Sequence, residues 1–61
     1  MIVNPQIGGL YKNKNLQDTY LFVTEVGDGI VRYHIYSTQE DVNGAKSYSS
    51  IYYFWELVAN D

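Results

Sequence analysis

The chain has 61 residues, no cysteine, one histidine, and a formal charge of −3 from four Lys/Arg against seven Asp/Glu. These counts exclude disulfides, thiolate zinc sites and histidine-rich metal centres, and the four cations (Lys12, Lys14, Arg32 and Lys46) offer little to nonspecific nucleic-acid binding, which runs on clustered Lys and Arg. So short a chain buries about 60% of the surface its unfolded form exposes, which predicts one thin core in one domain over residues 1–61.

Small scaffolds usually need a staple, and here the options are an aromatic-rich core or self-association. The chain carries seven Tyr, two Phe and one Trp, and each large ring can bury about 150–250 Å². No basic-plus-apolar leader pattern opens the sequence, and no apolar run nears the roughly 20 residues that span a bilayer. The expected location is the cytoplasm, with which the lack of cysteine is compatible.

In chain order, Asn4-Pro5 is a turn or extended signal. Leu10-Tyr11-Lys12, after Gly8-Gly9, reads as a short first strand, followed by a polar loop from Asn13 to Asp18. The strongest element is a hairpin. Thr19–Val26 and Ile30–Tyr36 are both dense in β-branched and aromatic residues, and Gly27-Asp28-Gly29 separates them. An Asp-Gly step between two such runs predicts a type I′ turn, which needs positive φ at both central residues.

With Asp28-Gly29 as the turn, Val26 faces Val31, Glu25 faces Arg32, Val23 faces His34 and Phe22 faces Ile35. One face then carries Tyr20, Phe22, Thr24, Val26, Val31, Tyr33 and Ile35. The other carries Leu21, Val23, Glu25, Arg32, His34 and Tyr36. A three-residue loop with a bulge would slip the pairing by one and set Val31, Tyr33 and Ile35 with Leu21 and Val23 instead. The two-residue turn is the preferred reading, and both readings put Val31, Tyr33 and Ile35 in the core.

Ser37–Val42 is polar and reads as a loop or a fraying strand end. Asn43-Gly44 is a second type I′ signal and predicts a tight reversal into a short strand around Ala45–Tyr48. The run Ile51–Val58 fits a strand as a continuous apolar stretch. It also fits a helix capped by Ser49 or Ser50, with Ile51, Phe54, Trp55 and Val58 on one face. One helical turn over Ser50–Trp55 and a closing strand at Leu57–Ala59 satisfy both signals. The fold class is therefore mainly β: about five short strands and one helical turn near the C-terminus, too few for a sandwich but enough for a small, strongly bent barrel that hides its edges.

The pattern Gly9-x-Tyr11-Lys12, Tyr20-x-Phe22-Val23, Val31-x-Tyr33 and Ser50-x-x-x-Phe54-x-x-x-Val58 resembles small SH3-like barrel proteins, many of them encoded by phages and prophages. The resemblance spans nearly the whole chain. The long acidic Ser37–Gly44 loop and the very aromatic C-terminal run depart from it. It implies a barrel, a non-enzymatic role, and no catalytic residues to carry over. Such folds host many unrelated roles.

No paired-carboxylate constellation, nucleophile elbow or phosphate-cradling loop occurs. Gly27-Asp28-Gly29 reads as a hairpin turn, and Glu40-Asp41 as a solvated loop, since two adjacent carboxylates lack the further ligands a divalent cation needs. The expectation is therefore no catalysis, no cofactor and no metal.

The tyrosines carry more. A core this small takes in about four of the seven, and tyrosine's rigid ring with a polar tip suits interfaces. The candidate partner-binding residues are His34, Tyr36, Tyr48, Tyr52, Tyr53 and Trp55. They point to a protein-interaction module: a phage-encoded modulator or inhibitor of a host defence or transcription protein, acting in the host cytoplasm, with a homodimer compatible. The alternative is a nucleic-acid-binding barrel that stacks bases on Tyr36, Tyr52 and Tyr53 and sets Lys12, Lys14, Arg32 and Lys46 on phosphates.

Overall fold

The computed structural model describes residues 3–58. Four strands, β1 (Leu10–Lys12), β2 (Thr19–Gly27), β3 (Ile30–Ser37) and β4 (Val42–Ser50), form one antiparallel sheet in the order β1-β2-β3-β4, and one helix, α1 (Ile51–Leu57), follows. Each strand pairs with its sequence neighbour, so the sheet is a meander held by short connections. No helix among the described residues is long and apolar enough to cross a membrane.

The β2–β3 turn forms at Asp28-Gly29, with φ of 54° and 75°, the positive pair that type I′ geometry demands. Near the turn the pairs are Gly27↔Ile30, Val26↔Val31 and Glu25↔Arg32, as the two-residue turn predicts. Beyond them the preferred reading fails. A bulge at Thr24 slips the register, and the pairs become Val23↔Tyr33, Phe22↔His34 and Leu21↔Ile35. The Thr24 hydroxyl donates to the Arg32 carbonyl at 3.2 Å.

Side chains alternate across a strand, so one extra residue exchanges the faces. Leu21 (2% exposed) and Val23 (0%) enter the core, and Phe22 (36%) turns to solvent. The facing set is the one the slipped reading offered, but the extra residue sits inside β2 and not in the turn.

The predicted reversal at Asn43-Gly44 does not form. Residues 38–41 make the connection, with Asp41 at φ 56°. The Glu40 N–H donates to Ser37 Oγ at 3.0 Å, and the Thr38 N–H donates to the Asp18 carbonyl at 3.2 Å. Asn43 and Gly44 lie inside β4, and the pairing steps from Ile35↔Ala45 to Tyr36↔Asn43. Gly44, at φ 88°, is the extra residue of a second bulge. A glycine-type bulge takes positive φ as a tight turn does, and Asp41 already supplies the turn's left-handed residue.

The helix is longer than the single turn expected and reaches Leu57. Ser50 caps it, its Oγ accepting the Tyr53 N–H at 3.0 Å. Ile51, Phe54 and Val58 are buried and Trp55 is half-buried, so the i, i+3, i+7 stripe faces the sheet as its spacing requires. Of the closing strand expected at Leu57–Ala59, the described part is one antiparallel bridge, Val58↔Asn13, beside the Lys14 N–H donating to the Leu57 carbonyl at 2.9 Å. Ala59 lies outside the described residues.

Phe54 sits at the centre of the core among Leu21, Val23, Val31, Tyr33, Ile51 and Val58. Tyr11 and Trp55 meet its ring edge-on at centroid distances of 5.3 and 5.4 Å, and Tyr33 lies tilted at 5.7 Å. Such pairs add about 0.5–1.5 kcal/mol each beyond the area they bury.

Polar groups inside are matched. Thr19 and Ser37, buried on neighbouring strands, share a 2.8 Å hydroxyl contact. Thr19 Oγ1 donates to the Gln17 carbonyl at 3.0 Å, so its single proton is used and the Ser37 hydroxyl donates to Thr19. Among the described residues no buried side-chain nitrogen or oxygen lacks a partner.

Candidate functional site

The helix covers one face of the sheet. On the other face the register aligns cross-strand rows. One row runs Leu10, Phe22, His34, Lys46 across all four strands, the next runs Lys12, Tyr20, Tyr36, Asn43, and a shorter one runs Glu25, Arg32, Tyr48. Residues opposite each other on antiparallel strands sit about 4.5–5.5 Å apart at Cβ and touch. The centre of this face is therefore aromatic, with Tyr20, Phe22, His34 and Tyr36 on the two inner strands. No described helix or strand packs on it.

Charge is arranged across the same face. Arg32 Nε lies 3.4 Å from Glu25 Oε1, and its guanidinium sits 5.6 Å from the centroid of the Tyr48 ring. Arg32 thus links the Glu25 carboxylate and the Tyr48 ring along one row. Between β3 and β4 a shallow depression is bordered by Thr24, Arg32, His34, Lys46 and Tyr48, with the inward-facing pair Tyr33 and Ser47 also in its lining and no carboxylate there. Lys12 closes the β1 edge of the next row. The acidic groups Asp28, Asp18 and Asp41 sit in the turns at the strand ends. Three of the four cations therefore lie across the body of the sheet.

The predicted site residues divide into three groups. His34, Tyr36 and Tyr48 share the uncovered face. Tyr52 (66% exposed) and Tyr53 (54%) lie on the solvent side of α1, whose other side packs on the core. Trp55, expected among the exposed rings, is half-buried against the core, and its Nε1–H donates to the Val3 carbonyl at 2.6 Å, tying the N-terminal segment to the helix. The stacking set Tyr36, Tyr52 and Tyr53 is likewise split between layers.

Sequence reasoning missed Phe22 and Tyr20, because the register without a bulge places them inside. The signal that locates them is weak: both parities of Tyr20–Val23 are apolar, so alternation alone does not choose. In the fold it is Leu21 and Val23 that join the cluster around Ile51 and Phe54.

Among the described residues no group of three or more His, Asp or Glu side chains is placed to hold a metal ion. The surface instead offers flat rings, forked and point cations and hydroxyls in one plane, which suits recognition of another macromolecule. No protein-family model, curated protein or solved structure matches the chain.

Proposed function

We propose that the chain is a non-catalytic binding module whose partner is a protein and whose docking surface is the uncovered sheet face. The observation that carries this reading is the row pattern: a central group of Tyr20, Phe22, His34 and Tyr36 bordered by Lys12, Arg32, Lys46 and Tyr48. Protein interfaces have this anatomy, with aromatic and Arg anchors concentrated at the centre and a polar rim that excludes water. The SH3-like barrel belongs to the same proposal. Its supports are the β1–β4 meander, the helix after β4, and the return of Val58 to Asn13 beside β1. A phage-encoded modulator of a host protein is the role that resemblance brings.

The test compares the two layers. A photo-reactive aromatic residue replaces Tyr36 on the sheet or Tyr52 on the helix, and each variant is irradiated in the lysate of the cells where the chain works. Cross-linking to a protein from position 36 and not from 52 is the expected result. Cross-linking from position 52 alone, or from neither, rejects the sheet face as the docking surface.

A second reading, single-stranded nucleic acid, has one observation in its favour: Phe22, His34, Tyr20 and Tyr36 adjoin on the inner strands, where bases stack on a sheet platform. Three cations on the face and a net charge of −3 are a poor match for a polyphosphate, so the protein reading is preferred.

A further inference from the structure

We infer that the depression between β3 and β4 is a carboxylate-binding subsite, in which Arg32, His34 and Lys46 anchor an acidic side chain of the partner protein. The inference rests on the docking face proposed above and adds the chemistry of its occupant. Two features converge on it. The register sets His34 directly opposite Lys46 and Arg32 directly opposite Tyr48, so three nitrogen-bearing side chains border one hollow. Glu25 engages Arg32 through Nε, and a guanidinium has further N–H groups for a second acceptor.

Charge complementarity chooses among occupants. The hollow is lined by cations, whereas the described acids other than Glu25 and Glu56 sit in turns at the strand ends. A second copy of the chain would bring the same cations to the same place in a face-to-face pair, and like charges across an interface are costly. A nucleic acid would use the phosphate form of the same anion chemistry, but its regularly spaced phosphates would run on to Asp18, Asp28 or Asp41. A single carboxylate beside an apolar or aromatic residue fits both the hollow and the rings of Phe22 and Tyr36 next to it.

Defined probes test this with the full chain. The capped peptide Glu-Phe-Glu-Trp-Glu, its lysine counterpart Lys-Phe-Lys-Trp-Lys and oligothymidylate are titrated separately, with amide-resolved NMR as the readout. The glutamate peptide is expected to shift the amides of Arg32, His34, Lys46 and Tyr48 saturably, and the lysine peptide to leave them in place. Lys46→Glu is expected to weaken the glutamate peptide about tenfold. Lys46 is exposed, so the variant's dispersed spectrum checks that the fold survives.

Equal response to both peptides, or no saturable shift with glutamate, overturns the inference. So does tighter, steeply salt-dependent oligothymidylate binding at these four amides, which assigns the hollow to phosphate. Shifts at the same amides on concentrating the protein alone assign it to a second copy and also overturn it. If the cross-link from position 36 succeeds while the glutamate peptide fails, the docking face stands and the carboxylate subsite falls. If the cross-link fails and the peptide binds, the docking reading falls and the subsite is left as an anion site alone.

Discussion

On the covered face of the sheet, Leu21, Val23, Val31 and Tyr33 meet Ile51 and Phe54 of the helix and are shielded from water. On the other face, Phe22, His34, Tyr36 and Tyr48 belong to the same sheet, and no other helix or strand among the described residues packs on them. Both faces are rich in rings and apolar groups, so composition does not tell them apart. What separates them is the helix and the charge. The covered face carries Leu21, Val23, Val31 and the rings of Tyr11 and Tyr33, all packed on Ile51 and Phe54. The uncovered face carries rings interleaved with Lys12, Arg32 and Lys46, and no helix among the described residues reaches it.

The largest effect is expected where the covered face depends on a single side chain. Phe54 is fully buried and touches Tyr11, Tyr33 and Trp55. Phe54→Ala should cost about 3–5 kcal/mol, which approaches the whole stability of a small domain. Urea or thermal unfolding measures it, and a variant that melts like the parent would remove Phe54 from the centre of the core.

A sharper form of the same comparison uses two adjacent residues of opposite parity. Leu21→Ala should cost about 2–5 kcal/mol, because Leu21 is buried in the core cluster. Phe22→Thr should cost about 1 kcal/mol or less, since Thr is a good strand former and loses only cross-strand contacts on an open face. If Phe22→Thr is the more damaging of the two, β2 lacks the bulge at Thr24 and the faces are exchanged.

A smaller effect is expected at Gly44. Its φ of 88° strains any residue with a Cβ, although the nearest atoms to that Cβ, in the Tyr36 ring, are at an ordinary 3.5 Å. Gly44→Ala should therefore cost about 1–2 kcal/mol through the backbone alone. Unfolding measurements check this. No loss would mean that β4 runs without the bulge beside Tyr36.

These positions also show how far the residues could be read. The Asp28-Gly29 turn, the Glu25–Arg32 pair, strand β1, the Ser50 cap and the Ile51–Phe54–Val58 stripe each rest on a local rule, and each forms. The bulge at Thr24 follows no local rule. It resolves a choice between two apolar parities that only the distant helix decides. Asn43-Gly44 misled because a positive-φ signal marks a bulge as readily as a turn, and the neighbouring Ser37 and Asp41 completed the reversal first. His34, Tyr36 and Tyr48 were therefore legible as outward residues. Phe22 and Tyr20, which depend on the bulge, were not, and neither was the row that sets His34 beside Lys46.

The smallest effect on stability falls on the residue that ties the uncovered face together. Glu25 and Arg32 are both largely exposed at their 3.4 Å contact, so Glu25→Gln should cost only about 0.2–1 kcal/mol and less in high salt, where exposed pairs are screened. Binding should move the other way. Glu25 is the one carboxylate in the row with Arg32, and removing its charge frees the guanidinium for an incoming carboxylate. Glu25→Gln should then bind the glutamate peptide more tightly than the parent although it is slightly less stable, whereas Arg32→Gln should lose affinity with a similarly small change in stability. NMR titration and unfolding on the same two variants separate these trends. If Glu25→Gln binds no better than the parent, Arg32 does not hold the carboxylate, and the anchor of the hollow lies with His34 and Lys46 alone.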